Sequence, residues 1–258
     1  MTDFIAALPM YDWPEVRDEV DAQWATIREG LRQQGIDAPD RLTRRNADMP
    51  AVPEGVRDAA GNLIAPDPAT LPPDELHFPT LWRHPKLLFA QTCWGPMEAT
   101  GLASQVRLVG QPDYSDVVGG ARDRYSSAIV MRRGESPDVA PPTDGRSALP
   151  LGILRGARFA FNSEDSMSGI VALTRDLEAA GESLAIFAER CPTGSHRASI
   201  AAVAEGSADV AAIDCRSWAL AKRFDRTAAQ LVPAGWTARR KGLPFIAALG
   251  VPDYRWPA

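Results

Sequence analysis

The sequence has no cationic surplus, little cysteine, little histidine and no long apolar run. Lys and Arg total 28 against 33 Asp and Glu, a formal net charge of -5. No basic excess is therefore available to hold a nucleic-acid backbone or an anionic membrane surface. The longest apolar stretches fall far short of the roughly 20 residues a membrane-crossing helix needs. Met1-Thr2-Asp3-Phe4-Ile5 carries no basic segment followed by an apolar core, so no Sec signal is expected. The chain as written reads as cytoplasmic, or as periplasmic if an export signal was removed. Cys93, Cys191 and Cys215 form no CxxC pair and read as reduced, buried or half-buried thiols. His77, His84 and His196 are scattered, and HExxH, GxSxG and GxxxxGK[ST] do not occur. No metal site, cofactor or hydrolase elbow is expected.

What the chain does contain is enough for two linked lobes: 258 residues, 45% hydrophobic and 24% charged. Phe4-Leu8 reads as a buried strand stopped by Pro9. Asp12, with Pro14 and Glu15 after it, reads as the cap of a helix whose apolar stripe is Val16, Val20, Trp24, Ile27 and Leu31. Residues 37–80 are rich in proline and polar residues, with short strands such as 40–45. They form either a lobe-surface excursion or a partner-binding segment. Leu87-Ala90, 106–109 and 125–131 are strand candidates, the last long enough to pass between lobes. After a proline-rich loop at 137–150 comes a strand at Ala157-Asn162 and a turn at Ser163-Glu164-Asp165-Ser166. A helix from about Met167 to Ala180 follows. Further on, a helix over 195–205, a strand at Ala208-Ile213 and a helix from Ser217 complete an α/β pattern. Helices interleaved with short apolar strands predict mostly parallel sheets covered on both faces.

In open α/β sheets ligands gather beyond the carboxyl ends of strands, where helix N-termini point. Four polar clusters occupy such ends: Met10-Tyr11-Asp12, Gln91-Thr92, Ser163 to Gly169, and Gly194-Ser195-His196. The third is the strongest, because helix-start N–H groups beside the hydroxyls of Ser166 and Ser168 suit an anion. The alternative is an ordinary capped helix. His196, in the first turn of its helix, is favoured as a neutral ring. Ser195 and His196 are adjacent, so their side chains diverge and make a poor nucleophile–base pair. Asp214 closes its strand on the ligand side, whereas Asp209 at the entrance reads as structural. Glu164, Asp165 and Asp214 together suit a ligand that also carries an amine.

These segments, Leu8-Pro9-Met10-Tyr11-Asp12, Gln91-Thr92-Cys93, Asn162 to Gly169, Gly194-Ser195-His196 and Ala208 to Asp214, resemble the phosphate/phosphite/phosphonate-binding proteins of ABC transporters. The likeness is to their shortened, signal-less relatives and spans about residues 3–247. It implies a two-lobed type II periplasmic-binding-protein fold with two crossing strands, near 125–131 and 231–241. Lobe one would hold 1–128, with 236–258 returning to it, and lobe two 129–235. The implied ligand-binding set is Tyr11, Gln91, Thr92, Ser166, Met167, Ser168, Ser195, His196 and Asp214, with no catalytic residue. The implied function is non-catalytic capture of a small anionic or zwitterionic solute, with an ABC permease or a regulatory protein as partner. Ile170 stands where such binders commonly have tyrosine, and the chain ends where relatives add helices to lobe one. An enzyme on the same fold, using Asp214, Glu164 or His196, and a ligand sensor are the alternatives.

Overall fold

The computed structural model describes residues 4–255. The signal reading at Met1-Thr2-Asp3 and the end of the chain at 256–258 lie outside the described residues. The chain divides into two compact units, Met1–Gln111 with Leu243–Ala258, and Pro112–Gly242.

In chain order the first unit carries strands β1 (Ile5–Ala7), β2 (Val56–Arg57), β3 (Leu63–Ala65), β4 (Leu87–Gln91) and β5 (Val106–Gly110). Its helices are α1 (Arg17–Gln33), α2 (Phe78–Arg83) and α3 (Trp94–Ala99). The second unit holds β6 (Arg124–Tyr125) to β12 (Arg240–Lys241). The strands between them are β7 (Ser127–Arg132), β8 (Arg158–Phe161), β9 (Glu189–Pro192), β10 (Val210–Asp214) and β11 (Leu231–Trp236). Its helices are α4 (Leu151–Leu154), α5 (Ala172–Ala179), α6 (His196–Ala204) and α7 (Cys215–Phe224). The last strand, β13 (Phe245–Ala248), returns to the first unit.

The first unit is built on a four-stranded sheet, β1-β4-β13-β5. The apolar stripe of α1 buries Val20, Trp24, Ile27 and Leu31, and Trp24 stacks on Phe89 of β4, which in turn meets Phe245 of β13. Each such side chain withdrawn from water contributes about 1.5–3 kcal/mol. Asp12 does not cap α1. Pro14–Val16 forms a 3-10 turn without a side-chain cap, and Asp12 accepts from Arg44 at 2.6 Å instead, because a guanidinium offers it a charge-assisted pair. Residues 40–45 do not form a strand. Thr43 N–H donates once to Ala6 O, and the next two amides, Arg44 and Arg45, turn to the Asp48 carboxylate. The rest of the long connection is tied down by side chains. Asn46 donates to Pro72 O and accepts from His77 N, and buried His84 Nε2 bonds Pro50 O. Its only described strand pair is the β2–β3 hairpin across Gly61-Asn62.

The second unit is built on a five-stranded sheet, β11-β7-β10-β8-β9. Ile129, Phe159, Phe161, Val210 and Ala212 pack against Ile170, Leu173 and Leu177 from the helix that follows β8. The sheets are mixed rather than mostly parallel. The pairs β1–β4, β10–β8 and β8–β9 are parallel, whereas β13 and β7 run antiparallel to both neighbours. Strands with no covering helix before them enter the sheet in the opposite sense. The segments 125–131 and 231–241, expected to cross between lobes, contribute β7 and β11 to this sheet. The chain passes from one unit to the other at 111–112 and at 242–243. Asp209 is structural: Arg158 chelates its carboxylate at 2.7 and 3.0 Å and holds it well below the usual carboxylate range.

Candidate functional site

In the second unit three consecutive parallel-sheet strands end in capped helices. Ser166 Oγ accepts from Gly169 N–H at 3.0 Å, Ser195 Oγ from Ala198 N–H at 3.1 Å, and Asp214 Oδ1 from the N–H groups of Arg216 and Ser217 at 3.0 and 2.9 Å. These are the orphan donors of a helix start, satisfied locally. The first of the three helices begins unusually. Met167–Val171 is wound as a π-turn before α5, with the N–H groups of both Ile170 and Val171 donating to Ser166 O. Such widened turns recur at functional sites. Gly169 permits it, because a Cβ there would collide with Asn162 Oδ1.

The side chains just inside these helix starts meet. His196 Nε2 lies 2.9 Å from Ser168 Oγ and 3.3 Å from Asp214 Oδ2. Ser168 and Asp214 are buried and His196 is nearly so, with 13% of its side chain exposed. Ser127, at the start of β7, donates its hydroxyl to Ser168 O at 2.9 Å and fixes the turn from below. Burial pushes the His196 imidazole below its ordinary pKa, and the neighbouring Asp214 carboxylate opposes the shift. A bare ring nitrogen facing a carboxylate is repulsive, so the proton of the neutral ring belongs on Nε2. Nδ1 is then left buried as an acceptor, and it has no partner among the described residues.

The chemistry available follows from which nitrogen is used. A Ser–His–Asp relay needs the serine on one ring nitrogen and the carboxylate on the other. Here both lie on Nε2, so the carboxylate cannot orient the ring for proton abstraction from Ser168. The group is a buried polar cluster without the relay geometry. The other carboxylates considered from the sequence do not join it: Glu164 is exposed and Asp165 accepts from Ser163 Oγ. Burial raises the Cys215 thiol to about 12, which leaves it protonated and inert. Among the described residues no group of three or more His, Cys, Asp or Glu is arranged to hold a metal ion.

The remaining sequence candidates are distributed as follows. Met167 is buried, with its sulfur 3.8 Å from Arg175 Nη1. Ser195 is exposed and used by its own turn. Tyr11, Gln91 and Thr92 belong to the first unit. Tyr11 is half-buried in the turn after β1. Gln91 is buried at the end of β4, where its carbonyl accepts from Trp82 Nε1. Thr92 is fully buried, and its hydroxyl has no partner among the described residues. Ser127 is not among the sequence candidates, and Asn162 enters there only as the end of a strand and the start of a resembling segment. The signal for Ser127 was a polar Ser126-Ser127 pair opening an apolar strand. For Asn162 it was a polar residue ending one.

Comparison with known proteins bears on the family and the fold. Residues 100–248, more than half of the chain, match the model of the family described as ABC transporter, phosphonate, periplasmic substrate-binding protein. Among curated proteins none matches significantly. Of solved structures, PhnD1 of Prochlorococcus marinus (MIT 9301), in complex with methylphosphonate, is similar with a TM-score of 0.59 at 18% identity. The match covers 96% of this chain and 77% of that one. A binding protein component of an ABC phosphonate transporter from Pseudomonas aeruginosa is similar with a TM-score of 0.58 at 15% identity, covering 97% and 70%. Both likenesses support the type II periplasmic-binding-protein fold.

Proposed function

Since this chain belongs to the family of periplasmic substrate-binding proteins of phosphonate ABC transporters, we propose that it captures a small phosphonate-type oxyanion and releases it unchanged. The observation that carries the reading is the meeting of Ser168, His196 and Asp214 at three strand ends, with serine and carboxylate on the same ring nitrogen. That arrangement supplies polar contacts for an oxyanion and no activated nucleophile. Ser166 and the first amides of the π-turn add donors at a helix start, where the backbone dipole favours negative charge. Asp214 anchors the histidine rather than facing the anion.

The partner that fits the family is an ABC permease, and the compartment that fits it is the periplasm. Among the described residues no helix is long and apolar enough to cross a membrane. The test is a thermal-shift series with methylphosphonate, phosphite, phosphate and acetate, followed by calorimetry on the best ligand. A ligand at 100 times its Kd stabilises the folded chain by about 2.7 kcal/mol, a rise of a few degrees in Tm. Phosphorus NMR of the recovered ligand should show it unaltered. No shift with any phosphorus oxyanion at millimolar concentration, or conversion of the ligand, contradicts the reading.

A further inference from the structure

The phosphonate-binding reading leaves open how the site tells one oxyanion from another. Its acid–base groups bear on that. His196 is held at Nε2 by Ser168 and Asp214, and its buried Nδ1 has no partner among the described residues. A buried ring nitrogen without a partner costs free energy until a ligand group meets it. The charged groups around the ring are few. From β10, Asp214 faces it. On its own helix Arg197 is turned to Asp225, and at the start of α7 Arg216 is turned to Asp116. From the β8 turn the neighbour is the neutral hydroxyl of Ser168, whose carbonyl accepts from the neutral Ser127 hydroxyl of β7. Among the described residues Asp214 is the one charged group recorded as acting on the ring, and no cation is recorded there to help it hold a fully deprotonated anion.

We propose that the His196–Asp214 pair admits an oxyanion only together with one proton, held between His196 Nδ1 and a ligand oxygen. The site therefore takes phosphonates, phosphite and phosphate, and disfavours sulfonates and sulfate. This inference rests on the phosphonate-binding reading and specifies the ligand class of the same cluster. Two microstates satisfy the condition with the same proton count. A monoanionic phosphonate brings its own P–OH, which donates to the bare Nδ1. A dianionic phosphonate draws a proton from solvent onto Nδ1, and the imidazolium is balanced by Asp214 on its other nitrogen. A sulfonate has no proton near neutral pH. It meets the Nδ1 lone pair with another lone pair unless the buried ring is first protonated.

The experiment is calorimetric titration of methylphosphonate and methanesulfonate into the full chain between pH 6 and 9. Buffers of differing ionisation enthalpy report the protons taken up. Methylphosphonate carries no amine, so uptake above its second pKa reports on the protein–anion pair. The expected result is uptake approaching one proton per ligand at the alkaline end and little at the acid end. Methanesulfonate should bind about 10- to 100-fold more weakly at neutral pH and gain affinity as pH falls. His196→Gln should abolish the uptake and bring the two ligands to within a few-fold of each other. Circular dichroism and the urea midpoint establish that the variant is folded. Should it fail to fold, Asp214→Asn, which keeps the side-chain shape, should reduce the uptake and shift its pH dependence. Methylphosphonate binding with no proton uptake at any pH, or equal affinity for the two ligands, overturns the inference and leaves the functional reading standing. Failure of every phosphorus oxyanion to bind overturns both.

Discussion

Ser166 and Ser195 each follow a strand and each cap a helix through their own hydroxyl oxygen, yet the two turns differ in what surrounds the cap. Ser166 is buried, and its turn is widened into a π-turn over Gly169. Ser195 is exposed, and its helix starts without distortion. In both turns the residue that reaches across is not the cap but one just inside the helix, Ser168 in the first and His196 in the second. The difference separates two jobs that a sequence motif merges. A cap residue satisfies backbone donors, and its neighbour one or two positions on is free to face another element.

The strongest way to break this comparison is to remove the inner residues. Ser168→Ala and His196→Ala should each lower affinity for methylphosphonate about 10- to 100-fold, the worth of a hydrogen bond to a charged group. Folding should be nearly intact, as checked by calorimetry and urea melts. Gly169→Ala places a methyl group against Asn162 Oδ1. It should cost about 1–3 kcal/mol of stability, as overpacking does, and weaken binding by distorting the π-turn. Ser195→Ala should cost about 1 kcal/mol through loss of a cap while leaving affinity within a few-fold of the parent. If Ser195→Ala instead weakens binding as much as Ser168→Ala, the division between cap and inner residue is wrong.

The smallest expected effect is that of pH on the unliganded chain. His77, His84 and His196 all have pKa values lowered by burial, so the folded chain binds fewer protons than the unfolded one just below pH 6.5. Their contribution to stability is complete above that pH and is lost as pH falls toward the folded-state values. Urea midpoints at pH 7.5 and 5.5 should show a lower midpoint at 5.5. An unchanged or higher midpoint would contradict the burial assigned to these rings.

The second unit was the more legible of the two from sequence. Its βα units carry continuous apolar strands, serine caps and terminating glycines, which are local signals. That is why Ala157-Asn162, the helix after Ser166 and the 208–213 strand were placed close to where they lie. Strands β9 and β13 were harder. Glu189–Pro192 is polar at the sheet edge, and Phe245–Ala248 is defined by antiparallel partners more than 130 residues away in sequence. Asp12 misled because a cap and an ion-pair partner look the same in one dimension, and Arg44 lies 32 residues on. At the site the residue types were visible, and their contact was not. Nothing in the spacing of Ser168, His196 and Asp214 shows that two of them share one ring nitrogen. That detail is what denies the three residues the geometry of a Ser–His–Asp relay.

The most direct test of the central claim is a double-mutant cycle on Ser168→Ala and His196→Ala, read by titration with methylphosphonate. Two residues that jointly face one anion should each cost affinity, with a combined loss smaller than the sum of the two, because they interact. Unchanged affinity in both single variants, with the folded chain still binding methylphosphonate, would place the ligand elsewhere and contradict the account.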